Sequence, residues 1–136
     1  MQAPSRNKHK GLIVAGMHSS GGKTAVTSLL LAALRKRNLA LQPFKVGPDY
    51  IDPGYHFHFS AKYSVNLDPW IMGREHVFQA AQQFTENAIG LAEGVMGLFD
   101  GSDPTNDTGS TMEVARWLQW PILLVVPCQN AGRSIT

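Results

Sequence analysis

The stretch GMHSSGGKT, residues 16–24, decides the fold of this chain. It lies between a short apolar run, 12–15, and a stretch rich in alanine and leucine that is typical of a helix. A strand, a glycine-rich loop ending in Lys and Thr, and a helix form the arrangement in which backbone N–H groups and a helix N-terminus hold phosphates. Counted from Gly16, the loop is one residue longer than the usual pattern G-x-x-x-x-G-K-[ST].

We predict that this loop binds a nucleotide. In such a site Lys23 reaches the β- and γ-phosphates, and the hydroxyl of Thr24 holds Mg²⁺. An ordinary turn between strand and helix, with an exposed lysine, is the alternative, but the preceding strand and the following helix both favour the site. A guanine-specific switch would carry an N-K-x-D-like motif after a later strand, and the sequence has none, so ATP is favoured over GTP. The residues expected at ATP are Ser19, Ser20, Gly21, Gly22, Lys23 and Thr24.

Composition indicates one globular domain. The chain has 136 residues, of which 43% are hydrophobic, and its formal net charge is +2. This charge is too small to predict nucleic acid or a membrane as a partner. The single Cys128 excludes an intrachain disulfide, and no apolar run approaches the roughly 18 residues that span a bilayer. We expect a cytoplasmic protein with a loose N-terminus over residues 1–10 and one domain over residues 11–136.

Strand and helix patterns alternate along the chain, which favours parallel strands joined by right-handed crossovers. The predicted strands are 12–16, 39–46, 89–93 and 122–126, and the predicted helices are 23–36, 75–84 and 111–119, the last with Ser110 or Thr111 as N-cap. These elements predict an α/β fold with a doubly wound, mostly parallel sheet. Segments 49–70 and 94–110 lack a sustained period and are predicted to be long loops.

The C-terminal residues 131–136 have the pattern of a helix that stops after one turn. A sheet of four strands with one face poorly covered would be marginally stable. We therefore expect a fold that is incomplete at its C-terminus, the N-terminal part of something longer.

Four carboxylates follow the predicted strands, and ligands bind at the carboxyl edge of an open α/β sheet. They are Asp49, Asp52, Glu93 and Asp100. A carboxylate beside a phosphate loop can hold Mg²⁺ directly or through water, because magnesium prefers oxygen ligands and keeps several waters. A single loop carboxylate is usually a turn former or a helix cap, and this reading stays open for each of the four.

Other residues allow two readings each. His56 and His58 alternate in YHFHF as metal ligands on a strand would, but no Cys and no third spaced His accompany them, so a loop that packs its aromatics is favoured. Cys128 is expected to be a buried thiol. Individual aromatics are loop or core anchors by default, and together they could line a site for a large flat ligand: Tyr50, Tyr55, Phe57, Phe59, Tyr63 and Trp70.

Four further stretches are distinctive: PFKVGPDYIDPGYH (43–56), NLDPWIMG (66–73), EGVMGLFDG (93–101) and GSTMEVAR (109–116). Together with the glycine-rich loop of residues 16–24, which we call the phosphate loop, they resemble the cobyrinic acid a,c-diamide synthase family of corrinoid biosynthesis. They occur here in the same order as in that family. This family and the related dethiobiotin synthases carry a loop with the same one-residue extension, G-T-x-x-x-x-G-K-T. The resemblance implies a P-loop NTPase fold of the dethiobiotin synthase type, although Met17 stands where threonine is usual.

The resemblance also implies an activity, the ATP-dependent amidation of the a and c acetate side chains of cobyrinic acid through an acyl phosphate. Glutamine or ammonia would donate the nitrogen. Thr24, Glu93 and one of Asp49 or Asp52, for which we select Asp49, would surround Mg²⁺. The residues implied to act on the corrinoid carboxylates and the phosphates are Lys45, Asp49, Tyr50, Asp52 and Asp100.

Two departures from the family's pattern accompany the resemblance. The fourth strand usually ends Val-Val-Asp-Ala, whereas this chain has Val126-Pro127-Cys128. The family's glutaminase domain, with its cysteine nucleophile, is absent from these residues. Amidation of another tetrapyrrole such as nickel-sirohydrochlorin, a nucleotide-dependent switch, and a non-catalytic fragment stay open as alternatives. Among the partners we include a second copy of the chain in a homodimer.

Overall fold

The computed structural model describes residues 10–135 of the chain. The loose N-terminus predicted for residues 1–10 therefore lies, except for Lys10, outside the described residues. Thr136 lies outside them as well.

Five strands form one sheet in the order β3-β2-β4-β1-β5, and every strand pairing is parallel. Four α-helices and a short 3₁₀ helix accompany them: β1 Gly11–Gly16, α1 Lys23–Lys36, β2 Leu41–Val46, α2 Asp52–Ser60, β3 Val65–Leu67, α3 Pro69–Phe84, β4 Ile89–Glu93, α4 Thr111–Leu118, β5 Ile122–Val125 and the 3₁₀ helix Arg133–Ile135. The predicted α/β class is confirmed. The predicted limits of α1 agree with the structure, and Ser110 is the N-cap of α4, accepting a hydrogen bond from the backbone N–H of Glu113.

The helices cover both faces of the sheet, as in a doubly wound fold. On one face, α1 and α2 pack together over a core that includes Val14, Leu31 and Leu91. On the other face, α3 and α4 pack together over a core that includes Ile13 and Val114. The alternation of Ile13 and Val14 between these cores explains why β1 reads as a continuous apolar run, since both of its faces are buried.

The segment predicted as a loop over residues 49–70 is folded, and that prediction is wrong. It contains helix α2 and the three-residue strand β3, and α3 begins at Pro69. Prolines suggested a loop, but a proline is tolerated in the first turn of a helix, where its missing N–H has no partner to lose. Asp68 caps α3 by accepting from the backbone N–H groups of Trp70 and Ile71. The expected sheet of four strands therefore has five.

Helix α3 is interrupted by a kink at Gly73, whose φ of 68° and ψ of 172° are not helical. The piece after the kink contains the predicted helix 75–84. A glycine suits this position because a positive φ carries no Cβ penalty there.

Two glycines let Trp120 pack closely against the sheet. A Cβ at Gly11 would come within 2.5 Å of the Trp120 ring, and one at Gly90 within 2.3 Å. The ring also meets Phe44 edge to face, with the centroids 5.7 Å apart. Close backbone approach, which only glycine permits, therefore builds this part of the core.

Strand β5 lies at one side of the sheet, next to β1, and is partly exposed to solvent. Leu123 and Leu124 on β5 are exposed, and so is Cys128, so the prediction of a buried thiol is wrong. The expected helical start at residues 131–136 is a single 3₁₀ turn over the described part. Within residues 10–135, no helix combines the length and the apolar character needed to cross a membrane.

Candidate functional site

Strand register brings the predicted site residues to one edge of the sheet. In β1 and β4, Val14 pairs with Glu93, and in β2 and β4, Lys45 pairs with Glu93. The phosphate loop leaves β1 two residues after Val14. The ends of β1, β2 and β4 therefore meet at the carboxyl edge, where parallel α/β sheets bind ligands.

The phosphate loop presents an uncapped helix N-terminus. Gly22 is the N-cap of α1, with φ 98°, and no side chain accepts a hydrogen bond from the first turn. The first N–H groups of a helix have no partner within the helix, and the helix dipole attracts anions to them. This end of α1 thus has the features of a phosphate site.

Lys23 folds back across the loop rather than into solvent. It is 7% exposed, its Nζ donates to the backbone carbonyl of His18 at 3.1 Å, and its stem lies where a Cβ at Gly16 would be, with Cγ at 3.0 Å. Burial, and then the charge of Lys45, lower the pKa of Lys23 below its usual value. The alternative of an ordinary turn predicted an exposed lysine, whereas Lys23 is buried in the structure.

Ser19, Ser20 and Gly21 form the outer part of the loop. Ser20 has a positive φ of 59°, and both serines are exposed. They line the approach to the first turn of α1.

Glu93 is completely buried at the end of β4, and each of its carboxylate oxygens has a partner. Oε1 accepts a hydrogen bond from the hydroxyl of Thr24 at 2.6 Å, and Oε2 lies 2.6 Å from Nε2 of His56. Burial by itself would raise the pKa of Glu93, but the hydrogen bond from His56, the charge of Lys45 and the Thr24 hydroxyl outweigh it and hold the pKa below its usual value. Glu93 is therefore an ionised carboxylate beside the phosphate loop.

Lys45 is the centre of a carboxylate cluster, which we define as Asp49, Asp52 and Glu93 around the Lys45 ammonium. The side chain of Lys45 is 2% exposed, and Nζ lies 2.6 Å from Asp52, 3.5 Å from Asp49 and 3.7 Å from Glu93. Nζ also donates to the carbonyl of Gly94 at 3.0 Å. A buried ammonium with these partners balances charges that would otherwise repel one another.

The two aspartates of the cluster differ. Asp49 Oδ1 accepts from the backbone N–H of Ile51 at 2.8 Å and of Asp52 at 3.3 Å, so it turns the chain into α2. These hydrogen bonds and Lys45 outweigh burial and lower the pKa of Asp49. Burial raises the pKa of Asp52, and the negative charge of Glu93 adds to this, while Lys45 opposes both. Neighbouring carboxylates with pKa values moved in opposite directions can take different protonation states.

Asp100 and Tyr50 lie at the solvent side of the site. Asp100 is exposed, and its Oδ2 accepts from the backbone N–H of Gly97 at 2.8 Å. Its loop is fixed to the end of β1, because the N–H of Leu98 donates to the carbonyl of Gly16 at 2.7 Å. Tyr50 is 80% exposed, between the two aspartates in sequence. Neither side chain is needed for packing at these exposures.

The residues present fit a magnesium ion with few protein ligands. Thr24 and Glu93 place a hydroxyl and a carboxylate oxygen side by side, and Mg²⁺ usually takes one or two protein oxygens and completes its shell with phosphates and water. No group of three or more His, Cys, Asp or Glu side chains in residues 10–135 is arranged as a metal cage. Asp49, the third predicted ligand, lies 3.5 Å from the Lys45 ammonium, and its role at Mg²⁺ stays a prediction.

His56 lies in a different environment from the one that the sequence predicted. It is completely buried in α2 and touches Glu93, rather than packing in a loop. The spacing of Asp52 and His56 is the signal that could have found it, because residues four apart share one face of a helix. His58 is exposed on the same helix.

The six aromatic residues of segment 50–70 that were grouped together from the sequence are mostly exposed. Phe57 and Tyr63 stack on each other with their centroids 4.7 Å apart, and Trp70 is 71% exposed. The prediction that together they line a site for a flat ligand stays a prediction.

No protein-family model matches the chain. Curated proteins do. The chain is 48% identical over 125 residues, 91% of its length, to the cobyrinate a,c-diamide synthase of Syntrophotalea carbinolica, and 49% identical over 125 residues, again 91%, to that of a Synechococcus strain. It is 46% identical over 128 residues, 93% of its length, to the hydrogenobyrinate a,c-diamide synthase of Brucella anthropi.

Over this length the chain belongs to the cobyrinic acid a,c-diamide synthase family. The predicted resemblance to this family is thereby confirmed. The chain spans 27% of the Syntrophotalea and Synechococcus relatives and 29% of the Brucella relative. The similarity thus covers nearly all of this chain and about a quarter to a third of each relative.

Proposed function

We propose that the chain forms the ATP-binding part of an enzyme that amidates the a and c acetate carboxylates of cobyrinic acid in cobalamin biosynthesis. The observation that carries the proposal is the hydrogen bond from Thr24 to Glu93 at the first turn of α1, beside Lys23. It joins the phosphate loop to a buried carboxylate in a chain whose relatives are named for this diamide synthesis.

The reaction needs ATP because a carboxylate is a poor electrophile. In the proposed sequence, a carboxylate oxygen of the substrate attacks the γ-phosphorus, the bond to the bridging oxygen breaks, and ADP leaves. The resulting acyl phosphate reacts at its carbonyl carbon with ammonia, which loses a proton as phosphate departs and the amide forms. Phosphoryl transfer of this kind depends mostly on positioning and charge neutralisation.

For the nucleotide, we propose that the backbone of residues 19–22 and the first turn of α1 hold the phosphates. Lys23 would exchange its contact with the His18 carbonyl for a phosphate oxygen, which as an anion is the better acceptor for an ammonium. Thr24 and Glu93 would hold Mg²⁺, which supplies positive charge where the phosphates accumulate negative charge.

For the substrate, we propose that Asp49, Tyr50, Asp52 and Asp100 orient the acetate side chains and the intermediate. Burial raises the pKa of Asp52, whereas the pKa of Asp49 is lowered, so of the two aspartates beside Lys45 it is Asp52 that is better suited to donate a hydrogen bond to an incoming carboxylate. Lys45 would hold the carboxylate cluster together and offset its repulsion of that substrate.

The proposal is tested by incubating the purified full chain with Mg-ATP, ammonia and cobyrinic acid, and following ADP release and the mass of the corrinoid. We expect ADP to form in step with amide. Phosphate release without amide under saturating ammonia would favour a nucleotide switch. Amidation of nickel-sirohydrochlorin but not of cobyrinic acid would change the proposed substrate and leave the proposed reaction in place.

One second substrate is favoured by a specific finding, the similarity to the hydrogenobyrinate a,c-diamide synthase of Brucella anthropi. We therefore include the metal-free ring in the assay. Glutamine should be compared with ammonia in the same experiment; our proposal allows either as nitrogen donor for the whole enzyme, and with this chain alone we expect ammonia to be the donor, because the family's glutaminase domain is absent from these residues.

A further inference from the structure

His56 connects a buried carboxylate to a hydroxyl through its two ring nitrogens. Nε2 lies 2.6 Å from Oε2 of Glu93, and Nδ1 lies 3.0 Å from Oγ of Ser64. Both His56 and Glu93 are 0% exposed, whereas Ser64 is partly exposed. The three side chains form a line that begins near the surface beside β3 and ends at the phosphate loop.

The direction of these hydrogen bonds follows from their chemistry. An ionised carboxylate only accepts, so Nε2 carries the hydrogen that points at Glu93. In a neutral ring Nδ1 then accepts from the Ser64 hydroxyl. Ser64 thereby fixes the ring orientation in which Nε2 faces Glu93.

Glu93 has a specific need for this donor. Its Oε1 is already used by Thr24 at 2.6 Å, and the Lys45 ammonium lies 3.7 Å from the same oxygen. For Oε2, the described contacts provide only His56. A buried carboxylate oxygen without a partner is costly, so a chain lacking this donor would rotate Glu93 or admit water beside it.

We infer that His56 is a positioning residue for the magnesium–nucleotide site: it holds Oε2 of Glu93 so that Oε1 stays beside Thr24 and faces the phosphate loop. This inference rests on the proposed function, since it concerns the same magnesium ion. Partners of a ligating carboxylate orient that ligand, and losing one usually costs about 10- to 100-fold in metal affinity. His56 itself would not touch the ion.

The geometry of α2 separates this role from simple helix packing. Asp52 and His56 lie four residues apart on one face, and both point to the carboxyl edge, toward Lys45 and Glu93 respectively. An apolar side chain at position 56 could fill the same space in the core. A donor aimed at Oε2 is what an apolar side chain cannot supply.

The test measures Mn²⁺ binding to the full chain in the presence of ATP, with ATP affinity in EDTA measured separately. His56→Phe keeps a flat ring and removes the donor, whereas His56→Gln keeps an N–H near the position of Nε2. His58→Phe is the matched control, because His58 is exposed on the same helix.

We expect His56→Phe to weaken Mn²⁺ binding about 10- to 100-fold and His56→Gln to restore most of it. His58→Phe should bind Mn²⁺ as the unaltered chain does, and ATP affinity in EDTA should be the same for all of them. Unchanged Mn²⁺ affinity in His56→Phe, or equal losses in the Phe and Gln variants, would overturn the inference. An equal loss of metal-free ATP binding would also overturn it, because that result indicates a general structural defect.

Two further outcomes are separable. If His56→Phe does not fold, Ser64→Ala replaces it, since Ser64 is partly exposed and only its hydrogen bond to Nδ1 is lost. A few-fold weaker Mn²⁺ affinity is then expected, and no change contradicts the inference. Failure of the unaltered chain to bind Mn²⁺ with ATP would instead refute the proposed function and this inference together.

Discussion

Replacing Lys45 by methionine should remove the balancing charge from the carboxylate cluster while keeping most of the side-chain length. Lys45 is 2% exposed, and its Nζ is 2.6 Å from Asp52 and 3.7 Å from the buried Glu93. Breaking a buried ion pair by removing one partner costs roughly 3–5 kcal/mol, because an uncompensated charge stays inside. The side chains of Asp49 and Asp52 are 30% and 19% exposed and can turn to water, so we expect a loss of about 3 kcal/mol.

Urea unfolding of the full chain at neutral pH measures this loss, with Lys36→Met as the control because Lys36 is exposed on α1. A second variant, Glu93→Gln, removes the most deeply buried negative charge of the cluster. The double variant should lose less than the sum of the two single losses, with a coupling of about 0.5–3 kcal/mol, as expected for residues in one network. If Lys45→Met matches the control within about 0.5 kcal/mol, or if the two changes add, Lys45 does not balance the cluster.

Three other changes address the phosphate loop, the loop that contains Asp100, and the core. Lys23→Ala should abolish tight Mg-ATP binding in calorimetry without altering the urea midpoint; unchanged affinity would remove Lys23 from the site. Asp100→Asn should lower the amidation rate far more than ATP affinity, whereas equal losses would assign Asp100 to the nucleotide. Gly90→Ala should destabilise the chain by roughly 1–3 kcal/mol in urea, because its Cβ would meet Trp120 at 2.3 Å, while Gly54→Ala, with open space around it, should cost nothing.

The parts of the fold that sequence predicted well are those in which one local signal is strong. Helix α1 has apolar positions three and four residues apart and cations in its last turn, and its limits are Lys23 and Lys36 as predicted. Strand β4 is a short apolar run, and the end of this run delivers Glu93 to the sheet edge. Periodicity and burial act together in these elements, so a pattern in the sequence is enough to define them.

Segment 49–70 was misread because its order depends on contacts far away in sequence. Helix α2 has weak periodicity, with His56 as its only buried member, and β3 has just three residues. Asn66 on β3 donates to the carbonyls of Gly47 and Asp49 at 2.8 Å each, which ties the strand to the loop after β2. Tertiary hydrogen bonds of this kind leave no local pattern, and they stabilise elements whose own propensity is low.

The sequence predicted which residues come together at this edge of the sheet, but not which of them contact one another. Thr24 and Glu93 were both expected at Mg²⁺, and the structure joins them at 2.6 Å. Lys45 was expected to neutralise a phosphate or a substrate carboxylate; this stays a prediction, and the structure adds that Lys45 is buried among the protein's own carboxylates. Sequence order alone does not reveal which of several nearby charges pair, because the pairing is decided by depth below the surface and by competing donors.

The electrostatics of this edge explain why those pairings matter. In the proposed function, the N-terminus of α1 and Lys23 attract a polyphosphate, yet three carboxylates lie nearby, on the loop after β2, at the start of α2 and at the end of β4, and unpaired they would repel it. The structure offsets part of this repulsion locally, because Lys45 lies among all three carboxylates and His56 lies within hydrogen-bond distance of the second oxygen of Glu93. Thr24 connects the N-terminus of α1 to the carboxylate cluster, because it belongs to the first turn of α1 and donates a hydrogen bond to Glu93. In the proposed function, one carboxylate oxygen of Glu93 is oriented toward the phosphate loop, where a magnesium ion would reverse the local sign of charge, while Lys45 offsets part of the negative charge of Asp49 and Asp52.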